Sequence, residues 1–529
     1  MRIENYGKTT ILRWSWEIEQ GMRSAARTHL LSRFRVGEYR EPETANAILH
    51  HQFGFFSDRL ATLVPKFANR DSLEFVLNQY EEACQILHGM GISDPAARRR
   101  WLLMEGDFRR AMKYLAELIC LQAARSPPKI SKREAYRAMD QALLCVEMLV
   151  DMAEMSHRVH GVFPDHVIAT IHPAGGPIDW EIRVTGRYAG YDVGLMHRIE
   201  RDRQHRHEFI VGPQFDIHTD SHTPFLDPAF ESVHGWSYGR FISALHHIID
   251  NCHPAPNGFP TLFVERQKIL AQFVDHGEPV ETVERVLAGF TVYPSKMREE
   301  GRVVWNPKQE HRAYRRGFFE YPHELGMHLA FSREMARESL IHLVNGACYK
   351  RLPEDWRHPQ IDTALECLSR RAGLWFEEVV TKNLHSLGIA GGRAKDRVGP
   401  SAKAVVIPAE VGEIDFLGYS EKEHLLVLAE AKMVSTGVEA KYWRDDVATF
   451  VGRRGSYADK FRRKVGWAVA QRHALADAFG VASDVRIAPA MLTLYPCIAQ
   501  IFIDDFKCVS LAEFMLDYRS TGKWPYEFR

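Results

Sequence analysis

Glu413-Ile414-Asp415-Phe416-Leu417, a turn-like stretch from Gly418 to Glu423, and Leu425-Leu426-Val427-Leu428-Ala429-Glu430-Ala431-Lys432 decide how the C-terminal third of the chain is read. Both apolar runs are strand-like, and side chains at i and i+2 of a strand share a face. Glu430 and Lys432 therefore point the same way, as do Glu413 and Asp415. On adjacent strands a carboxylate pair and a lysine would converge, a set suited to holding a hard divalent cation and ordering a water beside it.

Upstream, Leu365 to Leu387 reads as a helix stopped by Gly388 and Gly391-Gly392. At about 100° per residue, Ala372, Phe376, Val379, Val380, Asn383, Leu384 and Leu387 form one face. Glu377 falls on the edge of that face, whereas Glu378 lies on the far side. Downstream come a largely helical stretch from about Glu439 to Phe479, a strand region from Met491 to Ile503, and Cys508 to Phe514, a strand end feeding a helix. A loop rich in Gly and Lys separates the first helix from the Ile414 strand, so the expected order is α, β, β, α, β, α.

Gly373-x-x-Phe376-Glu377, then Glu413-Ile414-Asp415, then Glu430-x-Lys432 resembles the PD-(D/E)XK, or restriction-endonuclease-like, nuclease superfamily. Ile414 stands where the motif's name has proline. The resemblance covers residues 361–529 and implies a core of the αβββαβ type. It implies that Asp415, Glu430 and the Ala431 backbone carbonyl hold Mg²⁺ or Mn²⁺, with Glu377 binding through water or a second ion. Glu413 shares a face with Asp415 and competes for the ligand role, the motif's register favouring Asp415. Lys432 would orient or help deprotonate the attacking water and stabilise charge on the scissile phosphate. Hydrolysis leaving a 5′-phosphate, DNA rather than RNA as substrate, endonucleolytic cutting in bacterial defence or restriction, and pairing of two copies to cut both strands also follow from the resemblance alone.

Between Lys441 and Arg472 the charge is lopsided. Lys441, Arg444, Arg453, Arg454, Lys460, Arg462, Arg463, Lys464 and Arg472 face only Asp445, Asp446 and Asp459. Trp443, Phe450, Tyr457, Phe461 and Trp467 are interleaved. Clustered cations suit phosphates and aromatics can stack on bases, so Arg453, Arg454, Lys460, Arg462, Arg463 and Lys464 are the expected nucleic-acid contacts. An ordinary amphipathic helix pair with its aromatics in the core would read the same way.

The rest of the chain sets bounds. At 529 residues it is long enough for roughly three or four domains. Its 68 Lys and Arg cancel its 68 Asp and Glu, so a nucleic acid would be met through local patches. No signal-like leader opens the sequence and no run nears the roughly 18 apolar residues of a membrane span, so the expectation is cytoplasmic, with no membrane partner. Eight scattered cysteines without a C-x-x-C pair read as buried free thiols. No phosphate-cradling P-loop is present, so ATP-driven translocation would need a partner subunit.

Residues 1–160 read as all-helical, with an Asp71-x-x-Glu74 opening, a helix from Pro95 to Ala124 carrying Trp101, Leu102, Phe108 and Met112, and a Ser131 to Glu134 capping box. Residues 161–290 read as a mixed α/β domain, and 291–360 as a connecting strand and helix region with a linker. Two weaker motifs sit here. His205, His207, His218 and His222 have spacing that could bind a metal, although a chain with 26 histidines will produce such clusters. Arg240 to His246 loosely resembles the Arg-plus-His spacing of HEPN-type ribonucleases, which would be metal-independent, but Phe241 replaces the usual polar residue. The competing functional class is a nucleic-acid-binding scaffold whose nuclease fold has lost activity.

Overall fold

The computed structural model describes residues 1–86, 91–123, 130–176, 178–210, 220–251, 261–299, 310–323, 326–435, 440–452 and 454–528. The chain is a multidomain, mixed α/β protein that divides into two compact units. The first comprises Met1–Val159, Val167–Arg183 and His218–Leu368, and the second His160–His166, Val184–Ile217 and Ser369–Arg529. The boundary drawn at 361 falls inside the helix Pro359–Ser386. No helix among the described residues is long and apolar enough to cross a membrane. The cysteines among them are free, Cys367 being exposed and Cys84 half-buried, with the others buried.

The first unit corrects the all-helical reading of residues 1–160. It opens with an antiparallel hairpin, Arg2–Tyr6 against Thr9–Arg13. Thr9, Ile11 and Arg13 alternate inward, the period-2 pattern of a half-buried strand. Gly7 makes the turn at φ +64°, and a Cβ there would lie 2.8 Å from the Gly91 carbonyl oxygen. The helices Trp16–Leu31, Pro42–Leu63, Arg70–Gln85, Pro95–Ala123 and Lys132–His157 follow. Ser131 and Glu134 form the reciprocal capping box that their spacing predicts. The Arg70 helix instead starts at Asn69, whose side chain accepts from the Ser72 N–H at 2.9 Å, two residues before the expected Asp71. Trp101, Phe108 and Met112 are buried in the core, but Leu102 is exposed because one residue's rotation carries it off the buried stripe. A three-stranded sheet of Gly37–Tyr39, Val167–Ile171 and Trp180–Val184 and a four-stranded one built on Thr261–Glu265, Gly326–Ser332, Phe318–His323 and Thr291–Val292 complete this unit.

The second unit is built on a five-stranded sheet in the order Ile389–Ala394, Ile414–Ser420, Leu425–Lys432, Arg486–Thr493, Lys507–Ser510. The first three strands are antiparallel, and the last two join in parallel. Leu425–Lys432 is central, with every residue but Lys432 buried, which explains its unbroken apolar run. Its parallel partner is reached through three helices, Ala440–Phe450, Tyr457–Ala470 and Arg472–Phe479, because a parallel step needs a long crossover.

The stretch read as a Gly- and Lys-rich loop holds a strand, Ile389–Ala394. It lies so close to its neighbour that a Cβ on Gly391 would sit 2.3 Å from the Gly418 Cα. Glycine here permits backbone approach, whereas by itself it looks like a helix stop. The Ile414 strand runs on to Ser420, leaving only residues 421–424 for the turn. The region from Met491 to Ile503 is divided between the end of a strand and a 3-10 turn at Ile498–Phe502.

Candidate active site

Asp415 lies at the start of its strand, and Glu430 and Lys432 at the end of theirs. The antiparallel ladder pairs Phe416 with Ala429, so the next positions outward are Asp415 and Glu430. The Ala431 N–H donates to Asp415 Oδ2 at 2.8 Å, fixing that carboxylate over the strand end. Lys432 Nζ donates to Glu430 Oε1 at 2.7 Å and to the Ala431 carbonyl at 3.1 Å, and stands 3.5 Å from Asp415 Oδ2. Three oxygens from two strands thus converge on one positive nitrogen.

The electrostatics follow from this crowding. Burial opposes the charge on Lys432, but Glu430 and Asp415 outweigh it and hold the ammonium well above its ordinary value. Burial pushes the Asp415 carboxyl up; Lys432 counters this, Glu430 adds to it, and Lys464 and the Ala431 N–H counter it further. Glu377 is pushed up to about 7, first by burial and then by the Asp415 charge, against the pull of Arg393 and Lys432. Its adjacent residue Glu378 is exposed and pairs with Arg371 at 3.2 Å. The helix therefore turns Glu377 toward the carboxylates and Glu378 away from them.

Two residues outside the expected catalytic set belong to this neighbourhood. Arg393, on the edge strand, is ion-paired with Glu413 and lies 3.6 Å from Glu377 Oε2. It engages Glu413, the rival of Asp415. Lys464 was expected to hold phosphate at the surface; the structure instead buries it with its Nζ 2.5 Å from Glu430 Oε2. The reason is helical periodicity, because Lys464 lies on the same buried stripe as Phe461, Val465 and Ala468. That signal was present in the sequence, where the basic run around it concealed it.

The remaining basic residues divide. Arg454, Lys460 and Arg463 are exposed. Arg462 is engaged by Asp505 at 2.7 Å and Asp459 at 3.0 Å. Arg453 and the Lys441 side chain lie outside the described residues. Trp443, Phe450 and Phe461 are buried core residues rather than stacking platforms, whereas Tyr457 and Trp467 are half-buried. Tyr457 places its ring 5.3 Å from Lys432 Nζ.

His205, paired with Glu208 at 2.8 Å, and His207 lie on the Tyr191–Phe209 helix of the second unit. His222 is buried in the first unit with Nε2 3.2 Å from Cys348 Sγ, and His218 lies outside the described residues. Arg240 is ion-paired with Glu278 and stacked 4.4 Å over Trp236, while His246 stands 4.0 Å from Asp250. Six positions along the helix Tyr238–Asn251 leave Arg240 and His246 about 120° apart around its axis.

Among the described residues no group of three or more His, Cys, Asp or Glu side chains forms a metal-holding cluster. The convergent set at Lys432 has two carboxylates and a backbone carbonyl. These are hard oxygen donors, the chemistry that Mg²⁺ and Mn²⁺ take, and they already surround a positive charge. Compared with models of known families, with curated proteins and with solved structures, the chain matches none.

Proposed function

We propose that the second unit is a Mg²⁺- or Mn²⁺-dependent nuclease that hydrolyses phosphodiester bonds. The observation that carries this reading is the convergence of Asp415 Oδ2, Glu430 Oε1 and the Ala431 carbonyl on one cationic point. The topology of the sheet supports it, since the acid-bearing strand and the central Glu-Ala-Lys strand are antiparallel neighbours flanked by a glutamate-bearing helix. DNA as substrate, endonucleolytic action, a defence or restriction role and a paired assembly rest on the family resemblance alone.

Asp415, Glu430 and the Ala431 carbonyl would hold the ion, with Glu377 at the margin. When bound, the ion would lower the pKa of a coordinated water and neutralise charge on the phosphate. Lys432 Nζ, held beside the same oxygens, would orient that water and donate to a phosphate oxygen. Glu377, pushed up to about 7 in the metal-free site by burial and the Asp415 charge, would have its ionised form favoured by a cation held beside it. Arg454, Lys460 and Arg463, exposed on the segment after the catalytic strand, would hold the nucleic-acid backbone.

A second reading, a nucleic-acid-binding protein with a silent nuclease fold, is favoured by one observation. Both oxygens of Glu430 carry a lysine, and its side chain is nearly fully buried. One assay separates the readings: the purified chain is incubated with plasmid DNA and with RNA, with Mg²⁺, Mn²⁺ or EDTA, beside Asp415→Ala and Lys432→Ala. Metal-dependent cleavage lost in both variants is expected. Cleavage that survives EDTA or both substitutions overturns the proposal, and binding without cleavage selects the second reading.

A further inference from the structure

Glu430 is 4% exposed, and its two oxygens are held from opposite sources. Oε1 takes Lys432 from its own strand at 2.7 Å, and Oε2 takes Lys464 from the Tyr457–Ala470 helix at 2.5 Å. Two carboxylates, Glu430 and Asp415, share Lys432, and Lys464 supplies a second positive charge to the cluster. Its placement on Oε2 alone bears on the geometry of Glu430. Lys432 is shared among Glu430, the Ala431 carbonyl and Asp415, so it marks the point of convergence. Lys464 is directed at Glu430 from outside that point.

The helix that delivers Lys464 is firmly set. Ser456 caps it by accepting from the Asp459 N–H at 3.2 Å. Phe461, Val465 and Ala468 bury the stripe on which Lys464 lies, and the Phe461 ring packs edge-on against Phe506 at 4.7 Å. With Lys464 on Oε2, Oε1 is left to Lys432, whose Nζ also meets the Ala431 carbonyl and Asp415. Carboxylates that bind metals are commonly oriented by such outer partners, whose loss costs about 10–100-fold in affinity or activity.

We propose that Lys464 is a positioning residue for a divalent cation at this site, tying Glu430 Oε2 so that Oε1 completes the oxygen set; the inference rests on the nuclease reading above. Lys464 itself touches neither the ion nor the substrate. Its role is distinct from that of Lys432, which stands among the oxygens.

The test is Mn²⁺ binding by the full chain without nucleic acid, followed through the electron paramagnetic resonance of free Mn²⁺. Wild type, Lys464→Met, Lys464→Arg and Asp415→Asn are compared, with far-UV circular dichroism in EDTA to establish folding. Lys464→Met is expected to bind about 10–100-fold more weakly, and Lys464→Arg to recover most of the loss. If Lys464→Met binds as tightly as wild type or more tightly while Asp415→Asn loses binding, Lys464 is only a counter-ion and the inference is overturned. If wild type and Asp415→Asn bind alike, the metal-site reading itself fails and the inference falls with it. Should Lys464→Met not fold, Lys464→Ala, which likewise carries no donor, is read by the same criterion: weakened binding supports the role and unchanged binding overturns it.

Discussion

Replacing Glu377 by glutamine should stabilise the metal-free protein, and only at neutral and alkaline pH. The Glu377 carboxyl is pushed from its ordinary 4.5 up to about 7 by burial and by the Asp415 charge. A carboxyl raised in this way binds its proton more tightly when folded than when unfolded, so stability falls as pH rises between the two values. Below 4.5 both states are protonated and nothing is lost; above about 7 both are ionised and the whole penalty is present. The interval is about 2.5 pH units, equivalent to about 3.4 kcal/mol at about 1.36 kcal/mol per unit. The side chain is 22% exposed, and solvent screening brings the expected gain to about 1–2 kcal/mol. Glutamine keeps the shape and removes the charge. Wild type and Glu377→Gln would be melted in EDTA at pH 4 and pH 8. The variant should melt higher at pH 8 and equal the wild type at pH 4. An equal gain at both values, or a loss at pH 8, would refute the claim that Glu377 faces Asp415 in a partly buried site. Under the proposed nuclease function the same substitution should reduce cleavage with Mg²⁺, since it removes a carboxylate at the margin of the ion.

Other perturbations test the frame around the site. Gly391→Ala places a methyl group against Gly418 and should cost about 1–3 kcal/mol, read as a lower unfolding midpoint in urea. Ser510→Ala removes a cap that accepts from the Glu513 N–H and a hydroxyl that donates to buried Asp202 at 2.6 Å; a loss of about 2 kcal/mol by the same melt is expected, and a neutral result would exclude this network as a support. Replacing Arg454, Lys460 and Arg463 together by alanine should weaken nucleic-acid binding with little dependence on sequence. It should also flatten the plot of log affinity against log salt by up to about 2.7, at about 0.9 per phosphate contact. An unchanged salt slope would remove this face from the binding surface.

The local parts of the site are legible in the sequence because they depend on repeat distances along a single element. Period-2 alternation puts Glu430 and Lys432 on one face, and a 100° helical step separates Glu377 from Glu378; the side chains' partners in the structure lie on those sides. The Ser131 capping box has the same local origin. The N-terminal hairpin and the Ile389 edge strand were harder to read. Five-residue strands carry few alternations, and Gly391-Gly392 serves close packing that a sequence shows only as a break.

By itself, then, the sequence determined the acid-bearing and Glu-Ala-Lys strands, the helix face that carries Glu377, and the residue types that could meet a cation. Only tertiary structure decided the partners. Arg393 engages Glu413, leaving Asp415 to the Ala431 N–H; Lys464 leaves the basic surface to hold Glu430; and Trp443, Phe450 and Phe461 go to the core. The physical reason is that burial and ion pairing depend on distances between elements far apart in the chain. A lysine reads as a surface charge until the fold places a buried carboxylate 2.5 Å from its nitrogen.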